Sequence, residues 1–99
     1  MIQLDPAHFA IVQKILQPYP YKFYAFGSRI KHEATQFSDL DIAYEDNIPD
    51  HVISEIEEQF ENSDLPIKVE IVRLSRLPEK WQNIIKREWA EIGKEREKI

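Results

Sequence analysis

The alternation of apolar and polar residues predicts three helices. In the first, Phe9, Val12 and Leu16 recur at helical spacing, so one face of the helix is apolar. An Asp-Pro pair at residues 5–6 suits a helix start, because aspartate caps the N-terminus and proline fits the first turn. Prolines 18 and 20 end this helix. The second helix begins at Pro49-Asp50, and its apolar positions are Val52, Ile53, Ile56 and Phe60. The third begins near Ser75 and Pro78, and its apolar positions are Trp81, Ile84, Ile85, Trp89 and Ile92.

Three further segments are predicted to be strands. Residues 21–26, 40–44 and 67–74 are rich in aromatic or β-branched residues and are bounded by glycine, proline and polar clusters. The order of elements is therefore α-β-loop-β-α-β-α. This order predicts an α+β fold, with a small mixed β-sheet flanked by helices. Without repeats or linkers, residues 1–99 are expected to form a single domain.

Composition excludes several classes of protein. The 99 residues contain no cysteine, which removes disulfides, thiolate metal sites and cysteine nucleophiles. A net charge of −5 argues against direct nucleic-acid binding, which needs basic surface to replace counterions. No apolar run suits a signal peptide or a transmembrane segment, so a cytoplasmic protein without membrane association is expected.

The charges are unevenly distributed along the chain. Residues 39–64 contain ten acids and no lysine or arginine, whereas residues 76–99 contain seven basic residues and five acids. This pattern fits a protein that binds cations in one region and phosphates or an acidic partner in another. For the acids beyond Asp41, a solvated helix face is an equally good interpretation.

Two aspartates in the second predicted strand are the first candidates for chemistry. Because side chains alternate in a strand, Asp39 and Asp41 project to one side while Leu40 and Ile42 face the core. Carboxylates in such register repel each other unless a cation neutralises them. Hard oxygen ligands suit Mg²⁺, which completes its shell with waters and substrate phosphates. The sequence therefore predicts that this pair holds one or two Mg²⁺ ions bridged by a triphosphate.

The other half of the predicted site is the Gly27-Ser28 pair after the first strand. Glycine permits a sharp turn close to a ligand, and Ser28 offers a backbone N–H and a hydroxyl to phosphate, especially if a short helix begins there. Arg29 is a further candidate phosphate contact, although Arg29 and Lys31 equally suit solvent-facing positions. Glu70, in the third strand, is the candidate third acid, which binds metal and accepts the nucleophile's proton. Its alternative is a polar residue on a solvated sheet face.

These residues carry a resemblance to a known family. The stretch FGSRIKHEATQFSDLDIAY, with a Gly-Ser pair, ten residues and then Asp-x-Asp, resembles the signature of DNA polymerase β-type nucleotidyltransferases. The stretches ENSDLPIKVEIVRL and WQNIIKREWAEIG resemble the minimal nucleotidyltransferases (MNT proteins) more narrowly. The resemblance implies a nucleotidyltransferase fold without an added acceptor domain, and metal-dependent transfer of a nucleoside monophosphate to a hydroxyl. By match to the motif, Gly27 and Ser28 bind phosphate, and Asp39, Asp41 and Glu70 are the catalytic and metal-binding acids.

MNT proteins are often paired with HEPN proteins, as antitoxin to a HEPN ribonuclease toxin. The resemblance then implies a hetero-oligomer in which AMP from ATP is transferred to a tyrosine of the HEPN partner. One departure is Glu70, because the family usually has aspartate there. The extra methylene moves the carboxylate by about 1.5 Å, and a misplacement of about that size can cost a hundredfold in rate.

Two other functions remain open at this stage. The chain is alternatively a non-catalytic subunit that neutralises its partner by occlusion, or an enzyme that modifies a small molecule such as an aminoglycoside. The absence of an acceptor domain argues against the small molecule. No residue identifies the nucleotide base, and the two tryptophans, Trp81 and Trp89, are interpreted as core or interface residues rather than as a cofactor-binding surface.

Overall fold

The computed structural model describes residues 2–35 and 38–93, and helices alternate with strands through them. A 3-10 turn at Leu74–Arg76 follows the third strand. The described residues form α1 (Pro6–Leu16), β1 (Tyr24–Phe26), α2 (Ser28–Lys31), β2 (Leu40–Tyr44), α3 (Asp50–Glu61), β3 (Val69–Arg73), α4 (Glu79–Glu88) and β4 (Ala90–Glu91).

The strands form one mixed sheet in the order β3-β2-β1-β4. The strand β2 pairs parallel with β3, because α3 connects them as a crossover helix. The strand β1 pairs antiparallel with both β2 and β4. This architecture confirms the predicted α+β fold with a small mixed sheet flanked by helices.

One face of the sheet, which we call the covered face, carries the main hydrophobic core. Ala25, Ile42 and Ile71 lie in register across β1, β2 and β3 on this face. The helices α1 and α3 pack against it and remove its central side chains from water. Among the fully buried members of this core are Val12, Leu16, Phe23, Leu40, Ile48 and Ile56.

The opposite face, which we call the acidic face, is only partly covered. The helix α4 packs over one part of it, where Ala43 and Ile85 belong to a second, smaller hydrophobic cluster. The Trp89 ring, just after α4, stacks on Tyr24 of β1 with centroids 3.8 Å apart. In the next row, Phe26 packs against this cluster, whereas Asp41 beside it is only partly buried. The partial cover leaves room for a polar site beside α4.

The start of α1 follows the sequence prediction. The Asp5 carboxylate accepts a hydrogen bond from the Ala7 N–H at 2.8 Å, and Pro6 occupies the first helical position. The cap satisfies one of the backbone donors that a helix start leaves unpaired. The helix ends at Leu16, before the two prolines.

The last predicted helix was wrong at its C-terminal end. It was expected to carry Trp89 and Ile92, but α4 ends at Glu88 and the chain turns into the short strand β4. The strand forms because backbone groups of β1 are available as partners, and the Ile92 N–H donates to the Phe23 carbonyl at 2.8 Å. The first strand is also shorter than predicted and begins at Tyr24.

Within residues 2–35 and 38–93, each helix is too short or too polar to cross a lipid bilayer. The end of the basic C-terminal segment, residues 94–99, lies outside the described residues.

Candidate functional site

Three side chains of the acidic face lie in one row across three strands. Phe26 of β1 is opposite Asp41 of β2, and Asp41 is opposite Glu70 of β3. Asp39 precedes β2 by one residue, and strand alternation directs it toward the same face. Strand alternation predicted which face these acids occupy, and the fold adds the register that sets Asp41 opposite Glu70.

The Asp41 carboxylate is the most enclosed of the three acids, whereas Asp39 and Glu70 are exposed. Burial raises the pKa of Asp41, and the negative charges of Glu70 and Asp39 raise it further. Each contribution disfavours the charged form of Asp41. The three carboxylates therefore share one electrostatic environment, which a bound cation would stabilise.

The turn between β1 and α2 brings Gly27 against this row. Gly27 has φ 81° and ψ −149°, a backbone conformation that side chains rarely allow. A β-carbon at this position would lie 2.7 Å from Oδ2 of Asp41, closer than carbon and oxygen tolerate. Glycine is therefore needed for both the turn and the close approach. The half-buried Ser28 follows Gly27 at the first position of α2.

The donor chemistry of this site fits Mg²⁺, although the acids are not gathered as tightly as in a complete metal centre. Among the described residues, no three histidine, cysteine, aspartate or glutamate side chains are close enough to form such a centre. Mutual repulsion of Asp39, Asp41 and Glu70 is a sufficient physical reason for their separation. Mg²⁺ commonly takes one or two carboxylates and completes its shell with waters and substrate phosphates. The row of acids satisfies that smaller requirement.

Arg29, the further candidate for phosphate binding, has different neighbours. Its side chain is buried, and its guanidinium donates to the carbonyl oxygens of Gln3 at 2.8 Å and Ser38 at 2.7 Å, with a longer bond to Thr35 at 3.4 Å. Its Nε is buried with no hydrogen-bond partner among the described residues. The phosphate contact of Arg29 stays a prediction, and its observed contacts favour a structural role.

That structural role concerns the segment that leads to Asp39. The Gln3 N–H donates to the Arg29 carbonyl at 2.7 Å, and the Gln3 side chain bonds both backbone groups of Ala34. Arg29 thus joins the N-terminal segment, α2 and Ser38, the residue directly before Asp39. Sequence reasoning missed this network because its contacts are distant along the chain.

The helix α4 forms a wall beside the Gly27 turn. The Lys31 ammonium of α2 lies 3.4 Å from the Glu88 carboxylate of α4. Trp81 of α4 is 55% exposed, which excludes the interpretation of this residue as part of the core. Trp89, in contrast, packs against the second hydrophobic cluster. From the sequence alone, the position of Trp81 three residues after Pro78 does not indicate whether its side chain is buried or exposed. Its exposure became evident only from the structure.

Comparison with known proteins identifies the family. The sequence model of the polymerase beta nucleotidyltransferases matches residues 11–97. The probable protein adenylyltransferase MntA of Haemophilus influenzae is 34% identical over 101 residues, covering 98% of this chain and 88% of the relative. A crystal structure described as a toxin–antitoxin with AMP-PNP superposes with a TM-score of 0.66 at 20% identity, covering 88% of this chain and 73% of the other. The chain belongs to the polymerase beta nucleotidyltransferase family, within its minimal nucleotidyltransferases, and is a nucleotidyltransferase.

Proposed function

We propose that this nucleotidyltransferase moves AMP from ATP to a tyrosine hydroxyl of a HEPN toxin and thereby acts as its antitoxin. The observation that carries the proposal is the contact between the Gly27 turn and the Asp41 carboxylate, in one row with Glu70. The name of the relative, a probable protein adenylyltransferase, supports AMP and a protein acceptor. The fold neighbour, described as a toxin–antitoxin with AMP-PNP, supports a toxin partner and an adenine nucleotide.

In this proposal the Gly27-Ser28 turn holds the phosphates and the acids hold the cations. The Ser28 N–H and hydroxyl donate hydrogen bonds to phosphate oxygens, and the missing side chain of Gly27 lets the phosphates approach Asp41. Asp39, Asp41 and Glu70 would hold one or two Mg²⁺ ions. When bound, the metal lowers the pKa of the attacking hydroxyl and stabilises the negative charge of the leaving pyrophosphate.

The chemical step is an in-line displacement at the α-phosphorus of ATP. A bond forms between the acceptor oxygen and this phosphorus, and the bond from the phosphorus to the β-phosphate oxygen breaks. Glu70, at the β3 end of the row, accepts the hydroxyl proton and later releases it to solvent. Pyrophosphate leaves with the bonding electrons.

Incubation of the chain with ATP, Mg²⁺ and its HEPN partner tests the proposal. Intact mass spectrometry should find one added AMP group on the partner and an equal amount of released pyrophosphate. Asp41→Asn should remove the adduct, because the substitution removes a metal-binding charge. Glu58→Gln is the matched control, since Glu58 is an exposed acid on α3, behind the covered face. Absence of an adduct with the wild-type chain at every Mg²⁺ concentration would contradict transfer.

The second candidate is a non-catalytic subunit that neutralises its partner by occlusion. Glutamate at position 70, where the family usually has aspartate, favours it. Asp41→Asn separates the two candidates. If the variant still binds the partner but no longer neutralises it, transfer is required; if neutralisation is unchanged, occlusion is sufficient.

A further inference from the structure

A cavity of about 210 Å³ opens beside the Gly27 turn, between α2 and α4. Phe26 and Gly27 form one wall, and Trp81, Ile84 and Ile85 of α4 form the other. Most of this surface is apolar. Trp81 is the most exposed large hydrophobic side chain in residues 2–35 and 38–93. A solvent-exposed indole at an apolar cavity is a recognised feature of binding sites.

One edge of the cavity is charged. Lys31 and Glu88 line it and pair across the gap between α2 and α4 at 3.4 Å, with both side chains partly exposed. The ion pair links the two helices that form the walls. The cavity therefore has one charged side.

The position of the cavity relative to the acids indicates which reactant enters it. Phe26 and Gly27 line the cavity, and both are direct neighbours of Asp41, so the cavity adjoins the row of acids. Glu70 is at the opposite end of that row, across Asp41 from Phe26. This inference rests on the proposed function, in which Glu70 takes the acceptor's proton. The acceptor then approaches from the β3 side, and the Phe26 side remains for the nucleotide.

We propose that this cavity is the subsite for the nucleobase, and that the Trp81 indole is the surface on which the base stacks. The base is the flat and least polar part of a nucleoside triphosphate, so it suits apolar walls better than phosphates or ribose do. The volume is below the roughly 300–1,000 Å³ of pockets that hold a whole drug-sized ligand. It suits one heterocycle. Stacking on an aromatic side chain tolerates any base, and we expect purines to bind tighter because they cover more of the indole.

Binding measurements in Mg²⁺ without acceptor test this subsite. Titrations of ATP and of inorganic tripolyphosphate are compared for the wild-type chain, Trp81→Ala and Trp81→Phe. Trp81→Ala should weaken ATP about tenfold, the loss expected for one stacked base, and leave tripolyphosphate unchanged. Trp81→Phe should retain most of the ATP affinity because its ring still stacks. Asn83→Ala, an exposed position on the same helix, is the control for α4.

Three results would overturn the subsite. The first is an ATP affinity of Trp81→Ala equal to that of the wild type, and the second is an equal loss for ATP and tripolyphosphate. The third is a loss of partner binding with ATP affinity intact, which would assign the indole to a protein interface. None of these contradicts AMP transfer by the wild-type chain. Failure of the wild-type chain to bind ATP at all would instead overturn the proposed function together with the subsite.

Discussion

Two consecutive residues of β2, Asp41 and Ile42, lie on opposite faces of the sheet and have different roles. Ile42 is fully buried on the covered face, between Ala25 and Ile71 in register. Asp41, one residue earlier, projects from the acidic face, where burial and two other acids disfavour its charge. The covered face contributes apolar burial, whereas the acidic face holds mutually repelling carboxylates that a bound cation would neutralise. Stability and chemistry are therefore separable by substitutions on the two faces.

The largest effect is expected on the covered face. Ile42→Ala should lower the free energy of unfolding by about 2–5 kcal/mol, because it opens a cavity in a fully packed core. Chemical denaturation of the metal-free chain measures this change. Ile42→Val is the graded control, with an expected cost of about 0.5–1.5 kcal/mol. A cost below roughly 1 kcal/mol for Ile42→Ala would be no larger than that of an average substitution. Such a result would contradict the assignment of the stabilising core to the covered face.

The next effect concerns the turn that joins the two halves of the site. Gly27→Ala should reduce AMP transfer about a hundredfold, since the new methyl group displaces the Asp41 carboxylate by a large fraction of an ångström. The chain offers a matched control in Gly93→Ala, because a β-carbon at Gly93 meets no atom within 4 Å. Steady-state rates with saturating partner measure the difference. Equal rates for the two variants would show that AMP transfer does not require the close approach of the Gly27 backbone to the Asp41 carboxylate.

A smaller effect on stability is expected at Arg29. Arg29→Met should cost about 1–3 kcal/mol, because the partly buried carbonyls of Gln3 and Ser38 lose their donor. Thermal or chemical unfolding measures it, with the exposed Arg87→Met as the control. If Arg29 instead bound phosphate, Arg29→Met would leave stability unchanged and weaken tripolyphosphate binding, and that pattern would restore the sequence-based prediction.

The smallest effect, and the one of opposite sign, is expected at Asp41. In metal-free conditions near pH 7, Asp41→Asn should raise the melting temperature by about 1–4 °C, since it removes a desolvated charge between two other acids. The pKa of Asp41 is higher in the folded chain than its usual 3.8, so the folded state binds its proton more tightly. The contribution of Asp41 to the free energy of unfolding is therefore present below pH 3.8 and is lost as the pH rises through the raised pKa. Asp41→Asn should remove this pH dependence.

Melting curves of both proteins across this pH range, in EDTA, check the prediction. Glu58→Gln serves as the charge-matched control, because Glu58 is exposed on α3. A lower melting temperature for Asp41→Asn than for the wild type would mean that the carboxylate makes a stabilising contact.

The sequence predicted those parts of the site that depend on short-range rules. Strand alternation placed Asp39, Asp41 and Glu70 on one side, opposite the core residues around them. A glycine after a strand indicated a tight turn, and the structure adds the contact with Asp41 that makes the absence of a side chain necessary. The family resemblance supplied the roles, which the geometry alone does not distinguish.

The parts that the sequence did not predict depend on partners far along the chain. Trp89 and Ile92 continue the apolar period of α4, but pairing of Glu91 with Tyr24 makes the segment a strand. The burial of Arg29 depends on a carbonyl 26 residues earlier in the sequence. Trp81 is 55% exposed near the start of α4, whereas Ile85, one turn later, is buried in the second cluster. Local periodicity contains no information on such contacts.

The most direct test of the central claim is a titration of ATP into the chain with Mg²⁺ and again with EDTA. We expect measurable binding in Mg²⁺ and a loss of at least about tenfold in EDTA, because the acids repel a triphosphate without cations. The Asp39→Asn/Asp41→Asn double variant should lose the Mg²⁺-dependent part, whereas Glu58→Gln should retain it. Equal ATP affinity in Mg²⁺ and EDTA, or full Mg²⁺-dependent binding by the double variant, would contradict a metal–nucleotide site at Gly27, Asp39 and Asp41.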